Sequence, residues 1–479
     1  MQKSFRPGHY LAWALGPLGF AALTLGWLPF ELTHAERVVM ATSWWMAAWW
    51  ITERAPAAIT ALLPILIFPL SGAVSVSDTT RHYGHPYIFL FLGGFLLATA
   101  MEKWQLHRRI AYFIIRGIGF RPDQLVLGFM VATAFLSMWI SNTATAVMLL
   151  PVAIAMLRSP QLSTIEGLPK ALMLGLAYSA SIGGMSTLIG TPPNLVLAGL
   201  LSKRPESSIT FVQWMIFAIP LCSLMLVGCW WYLTHWAFPL KYSTKGRSNP
   251  LAESTQLEQL PPMSGNERRV LLVFGSMVVA WVFRGFLFES WLPAMDDTLI
   301  ALLGGIMLFI LPSVESEGHL LQWEDTKNLP WGILLLFGGG MALAHGFEVS
   351  GLSRTVGDTL AGGVGIHPLL FSVIVVGGMS LFTEFTSNLA ATTMILPVLL
   401  PVGEGLGENP VYILTAATLA ASCAFMMPVS TPPNAVVFGS GYLKVVDMIK
   451  AGLALNIIAA VLISLATSYW LPLVLGWAP

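Results

Sequence analysis

The sequence predicts an all-α polytopic membrane protein: about eleven transmembrane helices and two re-entrant hairpins, arranged as an inverted-topology repeat. Three observations predict this. The 479 residues are 56% hydrophobic and only 10% charged, with mean hydropathy +0.73, whereas soluble domains carry about 25% charged residues. Apolar runs of about 20 residues, enough to span a bilayer, recur from end to end. Four motifs also recur in the same order in both halves of the chain.

Taken in order, MQKSFRPGHY is followed by LAWALGPLGFAALTLGWLPF, which reaches spanning length with no clear small-residue cleavage site. The stretch 10–30 therefore reads as a first transmembrane helix within an N-terminal segment 1–36, rather than as a cleaved signal. Further spans are expected at 37–52, 55–70, 86–101, 169–201, 210–238, 268–289, 297–312, 331–346, 410–441 and 452–476, those at 169–201 and 410–441 being broken. Segments 123–157 and 367–400 are apolar but carry their polar residues in the middle, the reverse of a simple span, and read as hairpins. Segments 104–121 and 350–362 read as surface helices; LHRRIAYFIIRG has the pattern of an interfacial amphipathic helix. The one long polar stretch marks a cytoplasmic linker (239–267) between repeat 1 (37–238) and repeat 2 (268–479).

Sidedness follows from Lys and Arg. With a cytoplasmic N-terminus and hairpins that enter and leave on one side, 18 of the 24 Lys/Arg residues fall inside, five fall outside, and Arg284 lies within a span. The expected location is a bacterial inner (plasma) membrane. A net charge of +0 implies no acidic polymer, nucleic acid included, as a partner. Cys222, Cys229 and Cys423 lie in apolar segments and read as buried thiols. No disulfide framework, metal-ligand spacing or HExxH cluster is present, so no cofactor is expected.

The repeat is explicit. FLSMWISNTATAVMLLPV (135–152) aligns with SLFTEFTSNLAATTMILPV (380–398) at an offset of 246, which also pairs Gly93-Gly94 with Gly339-Gly340 and Glu102 with Glu348. The tetrads Thr191-Pro192-Pro193-Asn194 and Thr431-Pro432-Pro433-Asn434 pair at 240. Each half then holds five spans and one hairpin. Five is odd, so the second copy enters from the opposite side, as in many secondary transporters. A helix broken at mid-membrane exposes backbone groups that lipid cannot satisfy, so the break must face protein or a wet cavity. Half-helix N-termini suit an anion, and unwound carbonyls suit Na⁺. The Ser-Asn pairs at the hairpin tips add neutral donors and acceptors. Alone, a TPP is a kink and an SN pair an interhelical hydrogen bond; recurrence of both, in order, points to a site.

These motifs resemble those of the divalent-anion/sodium symporters, the family of Na⁺-coupled di- and tricarboxylate and sulfate carriers, over essentially the whole chain. The resemblance implies eleven transmembrane helices, a homodimer, and a transport domain that slides against a scaffold in an elevator-type motion. It implies symport of a small divalent anion, most simply a C4-dicarboxylate (succinate, malate or fumarate), with Na⁺ as coupling ion and lipid as surroundings. By motif, one Na⁺ site draws on Ser137, Ser141, Asn142 and the backbone at Gly190. The other draws on Thr383, Thr386, Asn388 and the backbone at Ser430. Substrate carboxylates are met by Ser141, Asn142, Thr143, Ser387, Asn388, Leu389 and the Thr191/Pro192 and Thr431/Pro432 regions.

Leu389 departs from the family pattern, where a threonine is usual. It brings no hydroxyl, and one hydrogen bond to a charged group is worth about 1.5–3 kcal/mol, so a different anion such as sulfate or citrate stays open. Glu384 is an intramembrane carboxylate and so a candidate proton carrier; the first hairpin has Met138 there, which favours a structural acid. Anion exchange and H⁺ coupling on the same fold are the alternatives to Na⁺ symport, and a channel is a third. An enzyme lacks support: no metal triad, nucleophile elbow or paired catalytic acids occur. The 18 tryptophans are expected near span ends, and Arg284 and His345 near an interface.

Overall fold

A computed structural model describes residues 7–26, 31–202, 208–241, 261–288, 291–361, 368–405 and 409–476. Most of the expected linker lies outside these residues. Among the described residues every regular element is helical, and strand geometry is confined to isolated bridges. Four helical stretches, Val76–Lys103, Phe211–Ala237, Trp331–Ser350 and Val445–Leu475, are long and apolar enough to cross a bilayer. The chain is thus an all-α membrane protein, with its remaining apolar helices shorter and joined at breaks.

Helix α1 (Pro7–Thr24) precedes two runs of matching order. The first comprises α2 (His34–Thr52), α3 (Ala57–Thr60), α4 (Leu63–Ser71), α5 (Val76–Thr80), α6 (Pro86–Lys103), α7 (Leu106–Ile118), α8 (Pro122–Ser137), α9 (Asn142–Leu157), α10 (Pro160–Ser163), α11 (Leu168–Gly184), α12 (Pro192–Leu201) and α13 (Phe211–Tyr232). The second comprises α14 (Gly265–Val282), α15 (Arg284–Phe288), α16 (Asp297–Ile310), α17 (Trp331–Ser350), α18 (Leu352–Ala361), α19 (Pro368–Thr383), α20 (Asn388–Gly405), α21 (Pro410–Ala421), α22 (Pro432–Phe438), α23 (Val445–Leu465) and α24 (Leu471–Leu475). In the two segments expected as hairpins, α8 is followed after a short break by α9 and α19 by α20. Each run ends on a long helix that loosens into a π-helical turn, Leu233–Ala237 after α13 and Ala466–Trp470 after α23.

The expected surface helix α7 is amphipathic: Leu106, Ala111 and Ile115 are buried while Arg108 and Arg116 are exposed. Capping boxes start α2 (Thr33 with Glu36) and α14 (Ser264 with Glu267), each satisfying two orphan backbone donors.

The chain divides into two compact units, and each draws on both halves of the sequence. One comprises Met1–Ile88, Leu195–Ser208 and Pro330–Ala421. Within it α17 packs on α2, α4 and α20, and α18 on α20. A Cβ on Gly339 would lie 2.3 Å from the Ala61 carbonyl oxygen, so α17 approaches that backbone only because this residue is glycine. The Glu36 carboxylate accepts from the Thr355 hydroxyl on α18.

The other unit comprises Phe89–Asn194, Ile209–Leu329 and Ser422–Pro479. Here α8 packs on α7, α9 and α11, while α22 lies against both α9 and α11. Gly93, the repeat partner of Gly339, plays the same part: its Cβ would meet the Ala301 carbonyl at 2.4 Å. Glu267 takes two bonds from Arg109 on α7, at 2.8 and 3.1 Å. The recurring glycine pairs therefore serve packing. Trp214 and Trp281 are fully buried and Trp139 is 5% exposed. Arg284 forms an ion pair with Asp297, 3.2 Å away.

Candidate cation and anion site

The first hairpin is broken at residues 138–141, where α8 stops and Ser141 caps α9 by accepting from the Ala144 N–H at 3.2 Å. This cap satisfies a donor that the helix start leaves without an intrahelical partner. Ser141 remains exposed and Thr143 half-buried. Behind the tip, the Ser137 hydroxyl lies 2.6 Å from Asn142 Oδ1 and 2.7 Å from the Ala180 carbonyl. One proton serves three oxygens, so at least one of the two acceptors is left facing another oxygen.

The cluster extends further. A Cβ on Gly184 would lie 2.5 Å from Asn142 Oδ1, and one on Gly190 would lie 2.5 Å from the Gly184 carbonyl and 3.0 Å from that of Ser137. Hydroxyl, amide and carbonyl oxygens thus gather where only glycine fits. An oxygen-rich donor set of this kind suits a hard cation. Ser137, Asn142 and Gly190 lie near one another, whereas Ser141 acts as a cap. Ala180 and Gly184 were not foreseen; the small-residue run SASIGG (179–184) was the available signal, because small residues allow close backbone approach.

The two tetrads behave alike. Both proline pairs start a half-helix and do not interrupt one: Pro192-Pro193 open α12 and Pro432-Pro433 open α22. There the missing N–H would be unpaired in any case. The unwound stretches lie just upstream, at 185–191 and 422–431. The asparagines clip them. Asn194 Nδ2 donates to the carbonyls of Gly184, Met185 and Thr187, at 3.4, 3.3 and 2.7 Å. Asn434 Nδ2 donates to the carbonyls of Ala424 and Met427 and to Ser430 Oγ, at 3.0, 3.1 and 3.1 Å. The acceptors at 184/424 and 187/427 repeat the 240-residue offset of the motif. Thr187 ties its loop to the first hairpin by donating to the Met138 carbonyl at 2.5 Å. Thr191 and Thr431 are buried, Pro192 is half-buried and Pro432 is exposed. Asn194 Oδ1 and Asn434 Oδ1 are buried without a hydrogen-bond partner, a costly state for an acceptor unless a donor or cation comes to it.

The second hairpin belongs to the other unit. It breaks at 384–387. Thr383 and Thr386 are buried, with hydroxyls donating to the Ser380 and Phe382 carbonyls at 3.1 and 3.0 Å. Ser387 is exposed. Asn388 Oδ1 is a third buried amide oxygen without a partner. Leu389 is 7% exposed and Glu384 is 1% exposed. A cavity of about 690 Å³ in this unit is lined by Glu348, Arg354, Pro397 and Glu404 among others; it contains none of the hairpin-tip residues.

Residues 19–477 match the family described as the sodium:sulfate symporter transmembrane region. The chain belongs to this family. The sodium-dependent dicarboxylate transporter SdcS of Staphylococcus aureus (strain NCTC 8325 / PS 47) is 40% identical over 489 residues, covering 99% of this chain and 94% of the relative. Its counterpart in the bovine strain RF122 / ET3-1 is 39% identical over the same span and shares. The fold is similar to the crystal structure of the Alcanivorax borkumensis YdaH transporter, with a TM-score of 0.58 over 87% of this chain and 89% of the other. At 15% identity that likeness concerns the fold alone. The family is one of transporters, not enzymes, and Na⁺ is its coupling ion. Among the described residues no group of three or more His, Cys, Asp or Glu side chains is placed to hold a metal.

Proposed function

We propose that this protein is a Na⁺-coupled symporter of small dicarboxylates, with succinate, malate and fumarate as its substrates. The observation that carries the reading is the Ser137–Asn142–Ala180 cluster, in which oxygens exceed protons. A Na⁺ ion there takes the lone pairs that no proton serves. The Ser137/Ser141/Asn142/Gly190 set then forms one cation site, and Thr383, Thr386 and Asn388 supply ligands to the second. In each unit an exposed serine is offered to a substrate carboxylate, Ser141 beside Thr143 in one and Ser387 in the other. All of these donors are neutral, so the bound cations supply the positive charge and the anion is held only while Na⁺ is present. That is the physical basis of coupling. Similarity to a sodium-dependent dicarboxylate transporter over 99% of the chain supports the choice of substrate.

The arrangement of about eleven spans and two re-entrant hairpins, the homodimer, the cytoplasmic N-terminus and the elevator motion belong to the same reading. Hairpin helices α8 and α9 are 16 residues each, about 24 Å against a core of about 30 Å, which favours re-entrance over crossing. The sulfate named in the family's description keeps one alternative substrate open, since Leu389 lacks the usual hydroxyl. Uptake of labelled succinate into proteoliposomes with an inward Na⁺ gradient tests the proposal. Uptake that ignores Na⁺ but requires internal anion, or that follows a proton gradient, overturns it.

A further inference from the structure

A groove between α7 and α9 holds none of the Ser-Asn or tetrad residues. It encloses about 630 Å³, the size of a small-molecule site, and its lining lies wholly within one compact unit. The floor is apolar, with Ile115 on α7 and Met148, Val152 and Ala155 on α9. Met148 to Ala155 covers about 10 Å of helix. The rim is basic: Lys103, Arg108 and Arg109 line it with two carboxylates, Glu267 and Glu315. Both carboxylates are engaged. Glu267 holds Arg109 and accepts the Ser264 N–H, each at 2.8 Å, and Glu315 accepts the Asn266 N–H at 3.3 Å. Lys103 pairs with Asp325 at 2.6 Å. Arg108 is exposed and donates to a neutral acceptor, Gln105 Oε1, at 3.3 Å.

The internal repeat supplies a comparison. At the offset of 246, Arg354 matches Arg108 and Pro397 matches Pro151, and each residue lines the cavity of its own unit. Where the first copy has Lys103, Trp104 and Arg109, the second has Val349, Ser350 and Thr355. Three cations meet two carboxylates at the first cavity; Arg354 alone meets Glu348 and Glu404 at the second. The groove is thus common to both copies, while its net positive charge is particular to the first. The rim also carries an aromatic ring with a polar edge. Trp104 donates its indole N–H to the Leu320 carbonyl at 2.9 Å, and Lys103 lies over its ring at 5.6 Å. Phe113, on the same helix, is 60% exposed. Basic, aromatic and apolar side chains together on an amphipathic helix are the composition of a membrane–water boundary.

We propose that this groove is a binding site for an anionic phospholipid. The lipid phosphate meets Arg108, with Lys103 beside it, and one acyl chain lies along the floor between α7 and α9. An apolar trough under a rim of net positive charge matches a molecule with an anionic head and a hydrocarbon tail. A small soluble anion leaves the floor uncovered, and a zwitterionic lipid brings a cation of its own to a basic rim. Arg109 is a wall and not a head-group ligand, because Glu267 neutralises it. The site needs neither Na⁺ nor substrate, so it stands or falls separately from the transport reading.

The full chain in detergent micelles is titrated with dioleoylphosphatidylglycerol, with dioleoylphosphatidylcholine and with glycerol 3-phosphate, and the shift in melting temperature gives the half-saturating amount of each. One basic side chain near an anionic lipid is worth about fivefold in binding constant. Phosphatidylglycerol should half-saturate at a mole fraction about fivefold or more below phosphatidylcholine, and glycerol 3-phosphate should give no shift. Arg108→Ala should raise the phosphatidylglycerol requirement about fivefold, and Lys103→Ala with Arg108→Ala about 25-fold. Ala155→Trp fills the exposed end of the floor and should raise it about tenfold, the worth of two buried methylenes. Arg354→Ala, at the matching position of the other unit, should leave it unchanged. Equal half-saturation by the two lipids, or an unchanged requirement in Arg108→Ala, overturns the proposal. So does an equal change in Arg354→Ala, which would report lipid adsorbed on any exposed cation. A shift with glycerol 3-phosphate that saturates as readily overturns it in favour of a soluble phosphate. If Ala155→Trp fails to fold, the arginine variants decide.

Discussion

Gly184→Ala puts the cation cluster under direct load. The added Cβ would lie 2.5 Å from Asn142 Oδ1 and 3.1 Å from its Nδ2, against about 3.5–4.0 Å for comfortable non-bonded contact. The amide must therefore retreat by about 1 Å. Its Oδ1 is also 2.6 Å from Ser137 Oγ, so the retreat separates two members of the proposed ligand set. Losing one contact of that kind to a charge costs about 1.5–3 kcal/mol, about ten- to a hundred-fold in Na⁺ affinity. Global stability is the wrong readout, because alanine gains up to about 1 kcal/mol over glycine within a helix. That gain offsets part of the local strain. The assay is the Na⁺ concentration giving half-maximal succinate uptake in proteoliposomes, paired with the Na⁺-induced shift in melting temperature. Both should move toward higher Na⁺ by at least tenfold. Gly228→Ala is the control, since nothing lies within 4 Å of its Cβ, and its Na⁺ dependence should match wild type. A G184A protein with wild-type Na⁺ half-saturation would remove Asn142 from the cation site.

Four further outcomes are expected. Asn194→Ala and Asn434→Ala each strip the donor that clips an unwound loop, leaving two or three buried acceptors short. Each should cost about 2–4 kcal/mol, read as a lower melting temperature that the other substitution does not rescue. Glu267→Ala breaks a pair whose side chains are 8–11% exposed and leaves Arg109 with one backbone acceptor. A loss of about 3–5 kcal/mol is expected, partly regained in the double variant with Arg109→Ala; equal losses in the single and double variants would contradict it. Asn388→Ala should depress Na⁺-dependent uptake more than Leu389→Thr does, because Asn388 Oδ1 is a buried acceptor awaiting a partner. Replacing Na⁺ with choline should abolish succinate-induced thermal stabilisation, and stabilisation of equal size in choline would break the proposed coupling.

Much of this architecture was legible because it rests on local rules. A polar cluster in the middle of an apolar segment marked both helix breaks, at 138–141 and 384–387. The Ser-Asn pairs marked where each second helix begins, since serine caps a helix start and the chain before it is free to unwind. The proline tetrads marked the half-helices correctly but for the wrong reason: the prolines open them, while the unwinding falls upstream in stretches that hold Gly190 in the first copy and Pro428 in the second. Partners distant in sequence could not be read. The Ala180 carbonyl reaches Ser137 because the glycine at 183 lets α11 approach α8 at Ala134. A carbonyl has no letter in the sequence, so only its permissive neighbours are visible. The burial of Trp214 and Trp281 could not be read for a related reason: hydropathy cannot separate a tryptophan at a membrane surface from one packed in a core.

The two halves keep their geometry while changing their chemistry, and this division constrains how the protein works. The capping-box glutamate that starts α2 reaches a threonine on α18, and the one that starts α14 reaches an arginine on α7. Thr355 and Arg109 are the same position in the repeat, one neutral and one charged. Ser137 and Thr383 are likewise equivalent, as are Trp139 and Phe385. A gene duplicated only for stability would be free to let such pairs drift apart in position. Here the Glu36–Thr355 and Glu267–Arg109 contacts keep their offset although the residues making them differ, whereas Ser137 and Thr383 donate to unlike acceptors. Under the proposed alternating access, unequal anchors on equivalent joints would make the two facing states unequal in energy. A carrier that concentrates an anion at the expense of a Na⁺ gradient works at both ends of its cycle under different ion concentrations, and such an offset lets each state be populated where it is needed.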